Sequence, residues 1–358
     1  MNIDKPAVHG TLTMLPEWAQ QEAVVLAWPH MQTDWQEWID EVRKTYLQLI
    51  EAINHCSALV ILLCPEDELG LVKSMVSMNA KVLLVQVDYN DTWTRDYVFI
   101  TCESANGNVP VNFNFNGWGE KFDASKDNKV NTLLSKLCRQ DLINHAAVLE
   151  GGAVEIDQNQ MLMSTSSCLL NPKRNSQLSL DDYGSLFESV LGARESHIFK
   201  HGHLEGDDTD GHIDTLARFT PLRSIVMQSA FNRPADLHFK PLNALKAEIK
   251  NAFPGFAIFE LPLPEIHNAS GERLPASYAN FLICNKGILA PIYQQEEDEQ
   301  AIETLQKAFP NHEVIPIDCS SLVQQYGSLH CVTMQIPENT MKTEILELAT
   351  NGLASYTV

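Results

Sequence analysis

Two hydrophobic periods alternate along the chain. Over residues 36–54, Ile39, Val42, Tyr46, Leu49 and Ile53 recur at three- and four-residue steps, which predicts an amphipathic helix with Asp34 as its cap. Upstream, the apolar run Ala23–Ala27 leads into Trp28-Pro29-His30, the pattern of a strand ended by a proline. Ala58–Leu63 and Lys81–Val87 read as strands on either side of a short helix at 66–78. The alternation continues, with strands predicted near 97–102, 109–115, 161–164, 195–199, 223–229, 256–261, 279–284, 287–292, 313–317 and 331–336. Helices are predicted near 127–138, 180–190, 236–251 and 296–309. Leu242, Leu245 and Ile249 form one stripe, and Ile302, Leu305 and Phe309 another. The pattern is α/β. No linker or low-complexity tract divides it, so residues 1–358 read as a single domain, and no internal repeat is evident.

Polar clusters fall between these elements over the whole length of the chain. The densest is Gly206-Asp207-Asp208-Thr209-Asp210-Gly211, a turn-forming loop. After it, Ile213, Thr215, Ala217 and Phe219 alternate with His212, Asp214, Leu216 and Arg218. A strand here would put His212 and Asp214 on one face, an acid–base group beside a carboxylate. A solvated aspartate-rich turn with an ordinary histidine is the competing interpretation.

Three more clusters carry chemistry. Asp91-Thr92-Trp93-Thr94-Arg95-Asp96 precedes an apolar run and offers two carboxylates and an indole face, groups suited to a guanidinium or another cation. A capped turn with an internal Arg95 ion pair accounts for it equally. Glu150-Gly151-Gly152 permits close backbone approach or positive φ, as any turn does. Cys331 follows the glycine-containing stretch Gln325–His330 and opens an apolar strand. Most cysteines in such a chain are inert core thiols, but a thiol whose thiolate is stabilised is a nucleophile.

Composition narrows the classes. The formal net charge of −21 argues against nucleic-acid or anionic-membrane partners and is compatible with a cationic substrate. No apolar run approaches the roughly 20 residues of a membrane span, and Met1–Leu15 lacks the pattern of a secretory signal. The eight cysteines, none at C-x-x-C spacing, read as reduced thiols, and a zinc site is not expected. A cytoplasmic location is the expectation.

Taken in order, D-x-W-x-R-D, E-G-G, G-H-x-D and the late H-C resemble the agmatine deiminase family, related to the bacterial peptidyl-arginine deiminases. Phe115–Gly119, Cys168–Asn171 with Arg174-Asn175, and Ala276–Phe281 extend the resemblance from about Met14 to Pro337. One departure is Tyr97-Val98-Phe99, where a Gly-Pro pair is common. The resemblance implies a pentein fold, a five-bladed α/β propeller with approximate fivefold symmetry. It also implies hydrolysis of a guanidine through a covalent cysteine intermediate, with no metal or other cofactor. By motif position, Cys331 is similar to the nucleophile, His212 to the acid–base group and Glu150 to its supporting carboxylate. Asp96 and Asp214 match the pair that grips the guanidinium, and Trp93 is a candidate wall for it. Arg95 reads as structural, and Glu155 has no assigned role. The implied reaction is agmatine plus water to N-carbamoylputrescine and ammonia, with a small cationic guanidine as partner and the oligomeric state left open. Three alternatives remain. The same chemistry would serve free, methylated or peptidyl arginine. A metal-dependent ureohydrolase would use Asp207, Asp208, Asp210, His212 and Asp214 as ligands. A non-catalytic guanidinium-binding protein would use neither the thiol nor the imidazole.

Overall fold

Five separate β-sheets make up the chain, seen in a computed structural model that describes residues 12–357. Each contains the same three-strand unit. A first strand pairs antiparallel with a second, and the second pairs parallel with a third after a helical crossover, as a parallel connection requires. In one unit, Met334–Pro337 pairs antiparallel with Gln21–Ala27, which pairs parallel with Leu59–Cys64 after helix Ile39–His55. In chain order, the others are Ile100–Ser104, Gly107–Asn114 and Ile143–Val148; Glu155–Ile156, Met161–Thr165 and Glu195–Phe199; Ala217–Phe219, Ser224–Gln228 and Ala257–Leu261; and Leu282–Cys284, Gly287–Ile292 and Glu313–Asp318. The structure therefore contains a repeat that the sequence hides, because the strand order and pairing of each unit recur and its residues do not.

The unit containing Gln21–Ala27 is closed by the far end of the chain. Its first strand is Met334–Pro337, and Ala354–Thr357 adds a parallel edge beside Val82–Gln86. Leu59–Cys64 and Val82–Leu84 are buried throughout, the continuous apolar run expected of a parallel strand covered on both faces. The helices behave as their stripes require. Val42, Tyr46, Leu49 and Ile53 are buried, as are Leu242, Leu245 and Ile249, and Leu305 and Phe309 with Ile302 packed beside them. Ser179 and Asp182 close a capping box at the start of Leu180–Leu191, and Gly192 ends that helix in the left-handed conformation. No helix among the described residues is long and apolar enough to cross a membrane.

Several predicted boundaries move. Strand 97–102 becomes Ile100–Ser104, because Thr94–Tyr97 is a helical turn. Strand 279–284 shortens to Leu282–Cys284, and 331–336 shifts to Met334–Pro337. Cys331 thus lies in the turn before its strand. His212 and Asp214 are not on a strand either: His212 precedes the short 3₁₀ turn Ile213–Thr215, and the strand begins at Ala217. Asp34 caps nothing, since helix Ile39–His55 is preceded by a 3₁₀ turn without side-chain capping. The strand shifts share one cause: the residues just ahead of a first strand turn inward and are held by tertiary contacts, which a local period does not report.

Candidate active site

Those inward turns occupy equivalent places in the five units. Asp96 precedes Ile100–Ser104, Glu150 precedes Glu155–Ile156, and His212 and Asp214 precede Ala217–Phe219. Asn280 precedes Leu282–Cys284, and Cys331 precedes Met334–Pro337. Each first strand delivers one or two polar side chains to a shared point, which is why the motifs lie so far apart in sequence.

A cleft of about 110 Å³ ends there. Trp93, Asp96, Trp118, Asn280 and Cys331 line its inner part, and Asp34, Asp91, Asp207, Asp208 and Phe122 its outer part, with no Lys or Arg among the lining residues. Trp93 lies against the backbone of Gly327, where an added Cβ would stand 2.3 Å from the indole. Cys331 is 7% exposed, and its Sγ donates to Asn280 Oδ1 at 3.3 Å. The same oxygen accepts the N–H of His330 at 3.0 Å. Burial and then the charges of Asp214 and Asp96 push the Cys331 thiol well above its ordinary value.

His212 stands behind the cleft. Gly152 is the pivot: a Cβ there would lie 2.6 Å from His212 Nδ1, 2.9 Å from Asp96 Oδ1 and 3.1 Å from Asp214 Oδ2. Its N–H donates to Asp96 Oδ1 at 3.0 Å, and Trp118 Nε1 donates to Asp96 Oδ2 at 2.9 Å. His212 Nδ1 and Asp96 Oδ1 form an ion pair at 3.6 Å. Burial alone would lower the His212 pKa, but Asp96, followed by Cys168 and Glu150, raises it well above its ordinary value, so His212 rests as the imidazolium. Glu150 is fully buried. Its Oε1 accepts from Arg174 Nε at 2.7 Å, and Arg174 Nη1 continues to Asp210 Oδ2 at 2.6 Å. Asp214 Oδ2 bonds His330 Nδ1 at 2.7 Å, while its Oδ1 is buried without a partner.

All six predicted site residues meet in this one region: Cys331, Asp96 and Trp93 on the cleft wall, His212 and Asp214 around Gly152, and Glu150 close to His212. The five-residue metal cluster does not form. Asp207 accepts from Thr209 and Gly211, Asp210 is engaged by Arg174, Asn171 and Lys121, and Asp214 by His330. Among the described residues, the three-donor group close enough to hold a metal ion is Glu150, Cys168 and His212.

Glu155 receives a structural place. It pairs with buried Arg218 at 3.1 Å and accepts the Phe219 N–H. Arg95 is buried with its Nε donating to the carbonyl of His330, in line with a structural role. Four contributors lie outside the predicted set. Asn280 and Trp118 belong to quoted motif pieces, and His330 adjoins the cysteine, so each had a signal. Glu17 had none. It stands between Pro16 and Trp18, yet its Oε2 contacts His330 Nε2 and Arg218 Nη2, both at 2.6 Å.

The model for the Porphyromonas-type peptidyl-arginine deiminases matches residues 13–337, nearly the whole chain. The chain belongs to this family. A C. jejuni agmatine deiminase, solved as a Cys-to-Ser variant with substrate bound, is 31% identical and covers 96% of this chain and 100% of its own, with a TM-score of 0.86. A provisionally named arginine deiminase from Porphyromonas gingivalis is 39% identical over 93% of this chain and 100% of its own, also at a TM-score of 0.86. A Marinomonas sp. (strain MWYL1) protein provisionally named an agmatine deiminase is 29% identical, over 93% of this chain and 96% of its own length. An amidinotransferase from Microseira wollei, 12% identical with a TM-score of 0.58, shares the fold alone. The fold of this peptidyl-arginine deiminase family member is thus the α/β pentein fold.

Proposed function

We propose that this protein hydrolyses agmatine to N-carbamoylputrescine and ammonia through a covalent adduct on Cys331. The observation that carries this reading is the cleft: narrow, ending at Cys331 and Asp96, and lined by carboxylates without a balancing cation. A guanidinium at its inner end is matched by Asp96 and the unpartnered Oδ1 of Asp214. Burial raises Asp91 to about 8 and Asp208 to about 7, so a second positive charge on the substrate draws them into the charged form, and with Asp34 and Asp207 they disfavour an α-carboxylate, which favours agmatine over free arginine. Its small volume is far below the roughly 300 Å³ or more of a drug-sized pocket, and suits a short unbranched substrate better than a peptide.

The residues serve the chemistry in this order. Asp96 and Asp214 hold the guanidinium with its central carbon over Cys331 Sγ, against the Trp93 face, which is mainly a positioning effect. The bound cation offsets the two carboxylates that oppose thiolate formation, and Cys331 gives up its proton to water in the cleft. The S–C bond then forms, giving a neutral tetrahedral adduct. His212, already an imidazolium, protonates one amino group, and ammonia leaves as the C–N bond breaks. The neutral imidazole takes a proton from water as that water adds to the amidino carbon. The C–S bond breaks, the new hydroxyl becomes the carbonyl of the ureido product as its proton passes to the departing sulfur, and the Cys331 thiol is regenerated. Glu150, fixed by Arg174, supports the His212 positive charge from close by.

The same reading takes the five units as blades of a pentein propeller in a single domain, supported by their common strand order and by the equivalent placement of their site turns. It takes the cytoplasm as compartment, in line with eight free cysteines.

Ammonia release from agmatine, arginine and a peptidyl-arginine substrate, measured with EDTA present for wild type and Cys331→Ser, tests the proposal. Turnover of agmatine that resists EDTA and vanishes in the variant is the expected result. Turnover lost to EDTA and kept in Cys331→Ser would overturn the mechanism. Turnover of another guanidine alone would overturn the substrate.

A further inference from the structure

Cys168 has no part in the proposed reaction, yet it lies beside two groups that do. Thr165 accepts the Cys168 N–H and caps the helical turn Ser166–Leu169, which presents the thiol inward, fully buried. One donor atom each from Cys168, Glu150 and His212 lie within 4.8 Å of one another. Two polar atoms in this group have no partner. Glu150 Oε2 and His212 Nε2 are both buried and unbonded, while the other atom of each side chain is engaged, Oε1 by Arg174 and Nδ1 by the Asp96 ion pair.

We propose that Glu150, Cys168 and His212 form a binding site for a thiophilic divalent cation of the zinc class, and that occupancy blocks turnover. A thiolate, an imidazole and one carboxylate oxygen are a zinc donor set, which leaves a fourth position for water. Magnesium and calcium want several oxygen donors, and this group has one carboxylate. The donors lie within 4.8 Å of one another, near enough for side-chain rotation to bring them to the roughly 2.0–2.3 Å bonds of a tetrahedral zinc. The charge balance is favourable. Binding releases the thiol proton and the proton of the imidazolium, and a dication with one thiolate and one carboxylate is neutral. The Arg174 charge stays paired with Asp210. An ion held there occupies the imidazole nitrogen nearest Glu150, so blockade rests on His212 being the acid–base group, whereas binding does not.

The test separates the two. Chelator-treated Cys331→Ser protein, which removes the proposed nucleophile as a competing thiolate, is titrated with CoCl₂ and followed by absorption. The expected result is one equivalent of bound cobalt with a thiolate-to-metal charge-transfer band, displaced by ZnCl₂. The band disappears when Cys168→Ser is added, and zinc affinity falls at least about tenfold. Zinc K-edge absorption of the loaded Cys331→Ser protein should show one sulfur neighbour near the ordinary Zn–S distance of about 2.3 Å, a readout that needs no Cys168 variant to fold. In wild type, stoichiometric ZnCl₂ should abolish ammonia release and EDTA restore it. No sulfur neighbour, or a charge-transfer band that persists without Cys168, would overturn the site. Sulfur ligation with undiminished turnover would overturn the blockade while leaving the site.

Discussion

The resting state of Cys331 is set by its neighbours. Burial first, and the negative charges of Asp214 and Asp96 next, raise the thiol above its ordinary 9.0, so the free protein holds a thiol and not a thiolate at neutral pH. Alkylation by iodoacetamide, a thiolate reaction, should therefore accelerate with pH and reach no plateau below pH 9, with Cys331→Ser as the control for the other seven cysteines. A plateau near neutrality would mean that the resting nucleophile is already ionised and that a bound guanidinium is not needed to activate it. At this scale the sequence was informative wherever a residue type declared its chemistry. Cys331, His212, Asp96 and Glu150 stood in motifs, and the structure gathers them. Glu17 shows the limit, because a carboxylate acquires its role from a buried imidazole and guanidinium more than 200 positions away, and no local pattern encodes that.

The turn ahead of each first strand is the element that makes the site, and Gly151-Gly152 is its tightest case. A Cβ on Gly151 would stand 2.2 Å from the carbonyl of Arg95, and one on Gly152 would collide with the His212, Asp96 and Asp214 side chains together. The glycines are there for close approach, not for positive φ, since neither adopts it. Gly152→Ala should cost about 1–3 kcal/mol as an overpacked site, and kcat should fall far more than that stability loss suggests, because the three displaced side chains are those we propose bind and protonate the substrate. Urea unfolding and steady-state kinetics check this together; a stable variant with normal kcat would show that the pivot has slack. Gly327→Ala acts differently. Its Cβ would push into the Trp93 ring, so KM for agmatine should rise with a smaller change in kcat. Elements with a clean period, such as Ile39–His55 and Phe239–Ala252, were legible in the sequence. The site turns were not, because Thr94–Tyr97 and Ile213–Thr215 are single turns held by tertiary hydrogen bonds. Strand Ile143–Val148 also escaped, being only partly buried and mixed in polarity.

At the scale of the whole molecule, the chain has to bring its two ends together to complete the site. Met334 pairs with Val25, so the strand that follows Cys331 is held by the N-terminal sheet. Glu17 reinforces the closure from inside. Its carboxylate accepts from the Ile283 N–H at 2.7 Å and contacts His330 and Arg218, and His330 passes the contact on to Asp214. Both ring nitrogens of His330 therefore face carboxylates, and His330 holds Asp214 by Oδ2, the oxygen that lies nearest Gly152. Burial alone would raise the Glu17 pKa, but Arg218 first and His330 next hold it far below its ordinary 4.5. A carboxyl depressed in the folded state contributes stability that is fully present above its unfolded pKa and is lost as pH falls through the folded value. Glu17→Gln should therefore destabilise the protein at pH 7 by about 3 kcal/mol, the low end for breaking a buried ion network, since Glu155 still pairs with Arg218. The gap between wild type and variant should narrow as pH is lowered below 4.5. Denaturant midpoints from pH 7 to pH 3 measure this gap directly. A gap that stays constant over that range would mean that Glu17 contributes through shape and hydrogen bonding and not through charge. Turnover should fall as well at pH 7, because His330 and Asp214 lose the anchor that fixes them beside Cys331, and rescue by Glu17→Asp would be partial at best, the shorter side chain falling short of bonds that now measure 2.6 Å.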